Sequence, residues 1–288
     1  MMKVQASRIL PPSLPEVIDR PRLIRRLQEN ADRRLICILG QAAQGKSTLA
    51  ARFLQTSSVK HAWINLIAED DNPVNLFYVT VAAMSSFLDA GQIEFLMQYP
   101  GSPLGPRDQK ALFQDWTRTL FNHLHAPTRF IYDSLERLPD SSPSFPFLQV
   151  LLEEAPQQIT FILLSRREPP LPLHEWKMKQ QAFVLSNTDM AFTYKETRSF
   201  LREHCGLRCE REQVKKVWQS TEGWTGGLVL LAQVLEHSDR PDLELEPIDR
   251  LPDRFQAEVF LYFAKEIFAN LSGNEAWILL HSSVFEEV

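Results

Sequence analysis

Short, near-continuous apolar runs recur along the first part of the chain, separated by stretches where apolar positions return every three or four residues. The runs Leu35–Leu39, His61–Leu66, Thr128–Asp133, Ile159–Ser165 and Gln181–Leu185 are too short for helices, and their continuity predicts buried strands. Between them, Leu49, Ala50, Phe53 and Leu54 share one helical face. So do Leu76, Phe77, Val81 and Met84, behind an Asn72 cap and Pro73 in the first turn. Leu112, Trp116, Leu120 and Leu124 mark another amphipathic helix, which ends before Pro127. Strands apolar on both faces and alternating with helices predict an α/β fold, a parallel sheet covered on both sides. From about Phe192 the period is helical throughout, starting with the capping box Thr193-x-x-Glu196 ahead of Phe200 and Leu201. Helices are expected through Val214–Trp218 and Gly226–Leu235. A polar, proline-bearing stretch, His237 to Pro252, then precedes a last helical run, Phe255–Leu271. Before the first strand, Pro11, Pro12 and Pro15 and a short helical stretch around Leu23 and Leu27 read as an arm.

Composition narrows the class without naming it. The length of 288 residues predicts about two domains, and 44% hydrophobic with 23% charged residues is ordinary for a water-soluble chain. A net charge of −5 argues against a generally basic nucleic-acid surface, and no apolar run is long enough to span a membrane. The N-terminus lacks the apolar core of a secretory signal, and three cysteines make no disulfide framework, so a cytoplasmic location is expected. Cys205 and Cys209, beside His204, lack the spacing of a zinc pair, and Cys37 reads as a small core residue.

The chemistry concentrates at the first strand. Gly40, Gln41, Ala42, Ala43, Gln44, Gly45, Lys46 and Ser47 spell G-x-x-x-x-G-K-S, the phosphate-binding loop, followed by Thr48. A strand before and a helix after are the context this loop needs, because loop N–H groups and the helix start then converge on one phosphate. Lys46 is expected to neutralise the β/γ-phosphates, and Ser47 to ligate Mg²⁺. Asp133, ending the third strand, is placed as the Mg²⁺-side acid. Its neighbour is Ser134, whose hydroxyl is a poor base near neutral pH; Glu136 is the other carboxylate within a turn. After the fourth strand, Arg166 is the first choice to feel a γ-phosphate and Arg167 the alternative. Weak hydrolysis of ATP to ADP and phosphate is therefore expected.

With these pieces in place the chain resembles the STAND class of signalling P-loop ATPases, in particular MalT-type and related LuxR-family transcription regulators. Ile9-Leu-Pro-Pro through Arg20-Pro-Arg-Leu-Ile-Arg is similar to the leader of that class. Trp63-Ile-Asn-Leu66 with Asp70-Asp-Asn-Pro73, Phe130–Asp133, and Ser165-Arg166 with Pro169-Pro170 are similar to its strand-two, Walker B and sensor segments. Thr221-Glu-Gly-Trp224 with Gly227-Leu228 is similar to its T-E-G-W-P-A-G-L signature, with Thr225 where proline is usual.

The resemblance implies that Ile18 and Arg20 lie near the adenine and that Thr225 approaches the nucleotide from a helical lid. It implies an arm at 1–30, a P-loop nucleotide-binding domain at 31–190, a lid at 191–240, and at 241–288 a linker and the truncated start of a winged-helix domain. It further implies a switch, ADP-bound at rest and ATP-bound when active. Inducer binding and self-association would belong to domains beyond this chain, and no nucleic-acid or membrane contact is expected of the chain itself. The competing readings are a small-molecule kinase on the same loop, which would consume ATP only with an acceptor, and a nucleic-acid motor.

Overall fold

A computed structural model describes residues 4–14, 18–98 and 106–236. The linker, the last helical run and the winged-helix start expected after residue 236 lie outside the described residues, as does Pro15 of the arm. In chain order the strands are β1 (Leu35–Leu39), β2 (Lys60–Asn65), β3 (Thr128–Asp133), β4 (Ile159–Ser165) and β5 (Ala182–Leu185). The helices are α1 (Pro21–Glu29), α2 (Lys46–Gln55), α3 (Pro73–Ala83), α4 (Ala90–Gln98), α5 (Pro106–Phe121), α6 (Ser144–Glu154), α7 (Leu173–Met178), α8 (Asn187–Met190), α9 (Tyr194–Ser199), α10 (Arg211–Thr221) and α11 (Thr225–Glu236). The chain divides into two compact units, Met1–Ala191 and Phe192–Val288.

The first unit is built on one parallel sheet in the order β2-β3-β4-β1-β5. β4 is thus interposed between the strand that leads into the phosphate loop and the strand that ends in Asp133. Register pairs Leu39 with Ser165 and Asn65 with Asp133, so all these residues leave the sheet at its C-terminal edge. Open α/β sheets bind ligands at that edge.

Alternate strand residues face opposite layers. Cys37, Ile64, Phe130, Tyr132, Phe161 and Leu163 meet Leu76, Phe77, Trp116 and Phe147 from α3, α5 and α6. Ile36, Ile38, Trp63, Ile131, Ile162 and Leu164 meet Leu49 and Phe53 of α2 and Leu23 and Leu27 of α1. A strand buried on both faces must be apolar at every position, which is why these segments read as unbroken runs. Burial pushes the Cys37 thiol up to about 12, as suits an inert core residue.

The arm contributes more than a lead-in. Leu23 and Leu27 of α1 have no exposed surface. Arg20 donates to the carbonyls of Met190 (2.7 Å) and Ala191 (3.1 Å), Arg22 to that of Asp189 (3.1 Å), and Arg26 pairs with the Asp189 carboxylate. Nearer the N-terminus, the Asn65 amide holds the carbonyls of Ser7 (2.7 Å) and Leu10 (3.0 Å), and Arg8 pairs with the buried Asp70.

The helical unit opens with the Thr193–Glu196 capping box read from the sequence: Glu196 N–H donates to Thr193 Oγ1 (3.2 Å) and Thr193 N–H to Glu196 Oε2 (2.8 Å). The Thr221–Trp224 segment is the turn between α10 and α11. Its Gly223 has φ +71, and an added Cβ would lie 2.3 Å from the Phe192 carbonyl oxygen. The close approach this glycine allows is to the Phe192 backbone, whose N–H donates to Gly223 O at 2.8 Å.

Candidate nucleotide site

The loop from Gly40 to Gly45 turns sharply between β1 and α2. Ala43 (φ 54) and Gly45 (φ 82) both lie in the left-handed region, and Gly45 caps α2 with no side-chain hydrogen bond. The first intrahelical bond runs from Leu49 N–H to Gly45 O (2.9 Å). The N–H groups that begin α2 therefore have no acceptor within the helix, which is what an anion at this position needs.

Lys46 is only 9% exposed, and its Nζ donates to the carbonyls of Gly40 (2.7 Å) and Gln41 (2.9 Å). Burial lowers the ammonium pKa, while Glu136 and then Asp133 raise it and Arg166 lowers it. Glu136, Asp133 and Arg166 thus all act on the Lys46 ammonium. Asp133 is buried and is held above the usual 3.8, chiefly by burial, with a hydrogen bond from Ser47 acting the other way. The Ser47 hydroxyl thus acts on the Asp133 carboxylate, far away in sequence, and the two together are the oxygen pair a Mg²⁺ ion needs. An uncapped helix start, a buried ammonium and this oxygen pair fit a phosphate chain with its divalent cation.

On the far side, Gly40 N–H donates to Ser165 O (3.1 Å), so the segment after β4 runs beside the loop. Arg166 and Arg167 diverge there. Arg167 binds the Leu138 carbonyl (3.0 Å) and Asp140 (3.0 Å), whereas Arg166 pairs with Glu136 (3.1 Å). Arg166 is the one whose charge acts on Lys46. Ile18 is half-buried, and the Arg20 guanidinium is engaged by the Met190 and Ala191 carbonyls. Thr225 is half-buried at the first position of α11 in the helical unit.

Sequence reasoning missed Asn187. Its Oδ1 accepts from Gln41 N–H (3.0 Å) and fixes the first turn of the loop. The Ser186-x-x-Asp189 capping box around it is legible as a helix start, but nothing local says that the helix docks on the phosphate loop.

No protein-family model matches the chain. A search of curated proteins finds the HTH-type transcriptional regulator MalT of Serratia proteamaculans, 23% identical over 96% of this chain. The chain is similar to MalT regulators along nearly its whole length. It spans about 30% of the length of these relatives. Among solved structures, 18% identity and a TM-score of 0.57 relate it to a STAND protein with a tetratricopeptide-repeat sensor from Pyrococcus horikoshii. That match covers 96% of this chain and 36% of the other. A Walker-type ATPase of Pyrococcus abyssi matches at 16% identity and TM-score 0.51, over 93% of this chain and 77% of the other. The chain has the fold of P-loop NTPases. Among the described residues, no helix is long and apolar enough to cross a membrane.

Proposed function

We propose that this chain binds an adenine nucleotide with Mg²⁺ and is the nucleotide-switch part of a cytoplasmic transcription regulator, with ADP in its resting form and ATP in its active form. The observation that carries the reading is Lys46, buried against the carbonyls of its own loop at an uncapped helix start, with Ser47 on Asp133 beside it. In this reading the phosphates take the N–H groups of the loop and of Lys46, Ser47 and Thr48, and Lys46 exchanges carbonyls for phosphate oxygens. Ser47 and Asp133 would hold Mg²⁺, which would supply neutralising charge to the terminal phosphates. Arg166 faces the γ-phosphate. The resemblance to STAND ATPases supports placing Ile18 and Arg20 near the adenine, and assigning inducer binding and self-association to further domains.

Turnover is slow in this reading, because Ser134 offers no carboxylate to take a proton from water, and general-base catalysis typically contributes about 10²–10⁴-fold. Slow turnover suits a switch whose states must persist long enough to be read by partners.

Mass spectrometry of nucleotide released from the purified chain tests the reading, and ADP is the expected species. In calorimetry Lys46→Ala should weaken ATP and ADP by roughly ten- to hundredfold, the worth of a charge-assisted contact. Unchanged affinity in that variant overturns the assignment.

A further inference from the structure

Of the two carboxylates whose charge acts on Lys46 among the described residues, Glu136 is the one the proposed Mg²⁺ site does not use, and the backbone carries it to Arg166. Ser134 lies in the left-handed region (φ 66) and breaks β3 sharply. A single helical turn, Leu135–Arg137, follows, anchored by buried Leu135 and closed by the Arg137 N–H bond to Ser134 O (3.0 Å). This turn carries Glu136 back toward the end of β4. There its carboxylate takes Arg166 twice, Oε1 from the side-chain Nε (3.1 Å) and Oε2 from the backbone N–H (3.2 Å).

The Glu136 side chain is only 18% exposed, and its charge acts on Lys46 more strongly than that of Asp133. One anion thus faces two cations, Lys46 and Arg166. These are the same two cations that a terminal phosphate would use. The Arg167–Asp140 pair is the instructive contrast: its side chains are 47% and 65% exposed, far more than that of Glu136.

We infer that the Glu136 carboxylate stands in for the γ-phosphate, so that a nucleoside triphosphate must displace it from Arg166 while a diphosphate leaves the pair intact. The inference rests on the nucleotide-binding reading and deepens it, because it makes Glu136 a residue that sets the preference between the two nucleotides. The energy needed to break the pair is charged to the triphosphate alone, which biases the site toward the diphosphate. A carboxylate left beside the γ-phosphate adds like-charge repulsion of the same sign.

The test is the ratio of ADP to ATP dissociation constants, measured by calorimetry with Mg²⁺ on the 288-residue chain. Glu136→Gln keeps the size and hydrogen-bonding shape but removes the charge, and should raise the ratio in favour of ATP by roughly three- to thirtyfold. Adding Glu136→Gln to Arg166→Ala should gain less than Glu136→Gln gains alone, because the two residues act as a pair. A Glu136→Gln ratio within about twofold of wild type, with both nucleotides still bound, makes the ion pair structural and overturns the inference while nucleotide binding stands. If Glu136→Gln lacks a cooperative thermal transition, Glu136→Ala is measured in its place, and a ratio within about twofold of wild type there is equally fatal. Wild-type chain that binds neither nucleotide overturns the underlying reading and the inference with it.

Discussion

At the scale of single residues the site is held in a costly arrangement. Asp133 is 6% exposed, and burial favours its neutral form, since the contact from Ser47 offsets only part of the lost hydration. The sign follows from the raised folded-state value. Stability linked to this group is fully present at pH below the ordinary 3.8 and is lost as pH rises through the folded-state pKa. Near neutral pH, Asp133→Asn should therefore stabilise the chain without nucleotide by about 0.5–2 kcal/mol, the usual gain when a functional-site charge is relieved. The same variant should lose the extra stabilisation that Mg²⁺ adds in the presence of ADP. Thermal unfolding with and without Mg²⁺–ADP checks both, and the two chains should converge in stability as the pH falls. Asn less stable than Asp at neutral pH would mean that the carboxylate is structural.

At the scale of elements, the turn between α10 and α11 is the clearest case of a glycine fixed by packing. Gly223 combines a left-handed backbone with a Cβ position already filled by the Phe192 backbone, and Trp218 Nε1 donates to the same Phe192 carbonyl (2.9 Å). Gly223→Ala should destabilise the helical unit by about 2–4 kcal/mol, from left-handed strain plus overpacking. Gly206, also left-handed (φ +68) but with no atom within 4 Å of its added Cβ, should cost only the strain, about 1–2 kcal/mol. Chemical denaturation of the two variants separates them, and equal losses would refute the packing account. The Thr221–Leu228 segment was legible as a signature, yet its partner Phe192 lies thirty-odd residues away and carries no mark in the sequence.

At the scale of the whole molecule, Met1–Ala191 contains all five strands, both apolar layers and the arginines that bind residues 189–191. A chain ending at Ala191 should therefore still unfold in one cooperative step and bind Mg²⁺–ADP. Removing residues 1–30 should instead expose the apolar surface that Leu23 and Leu27 cover, and should cost solubility or folding, because each buried Leu is worth about 1.5–3 kcal/mol. Circular dichroism melts of the two truncations decide this. An intact melt after loss of residues 1–30 would make the arm an accessory after all.

What the sequence determined by itself is local or periodic. Five strands announced themselves because a doubly covered sheet needs apolar residues on both faces, and the phosphate loop did so because its backbone demands particular residues at fixed spacing. The cap at Asn72 and the box at Thr193 are equally local, each a side chain bonding a nearby N–H. Strand order, the action of Ser47 on Asp133, Asn187 on the loop and the different partners of Arg166 and Arg167 depend on contacts across many residues. Short α7 and α8 carry too few turns to show a period, and only the finished core holds them. Glu136 shows the difference most plainly: one more acidic residue after a strand in the sequence, it becomes the partner of Arg166 because Ser134 bends the chain and β4 lies next to β3.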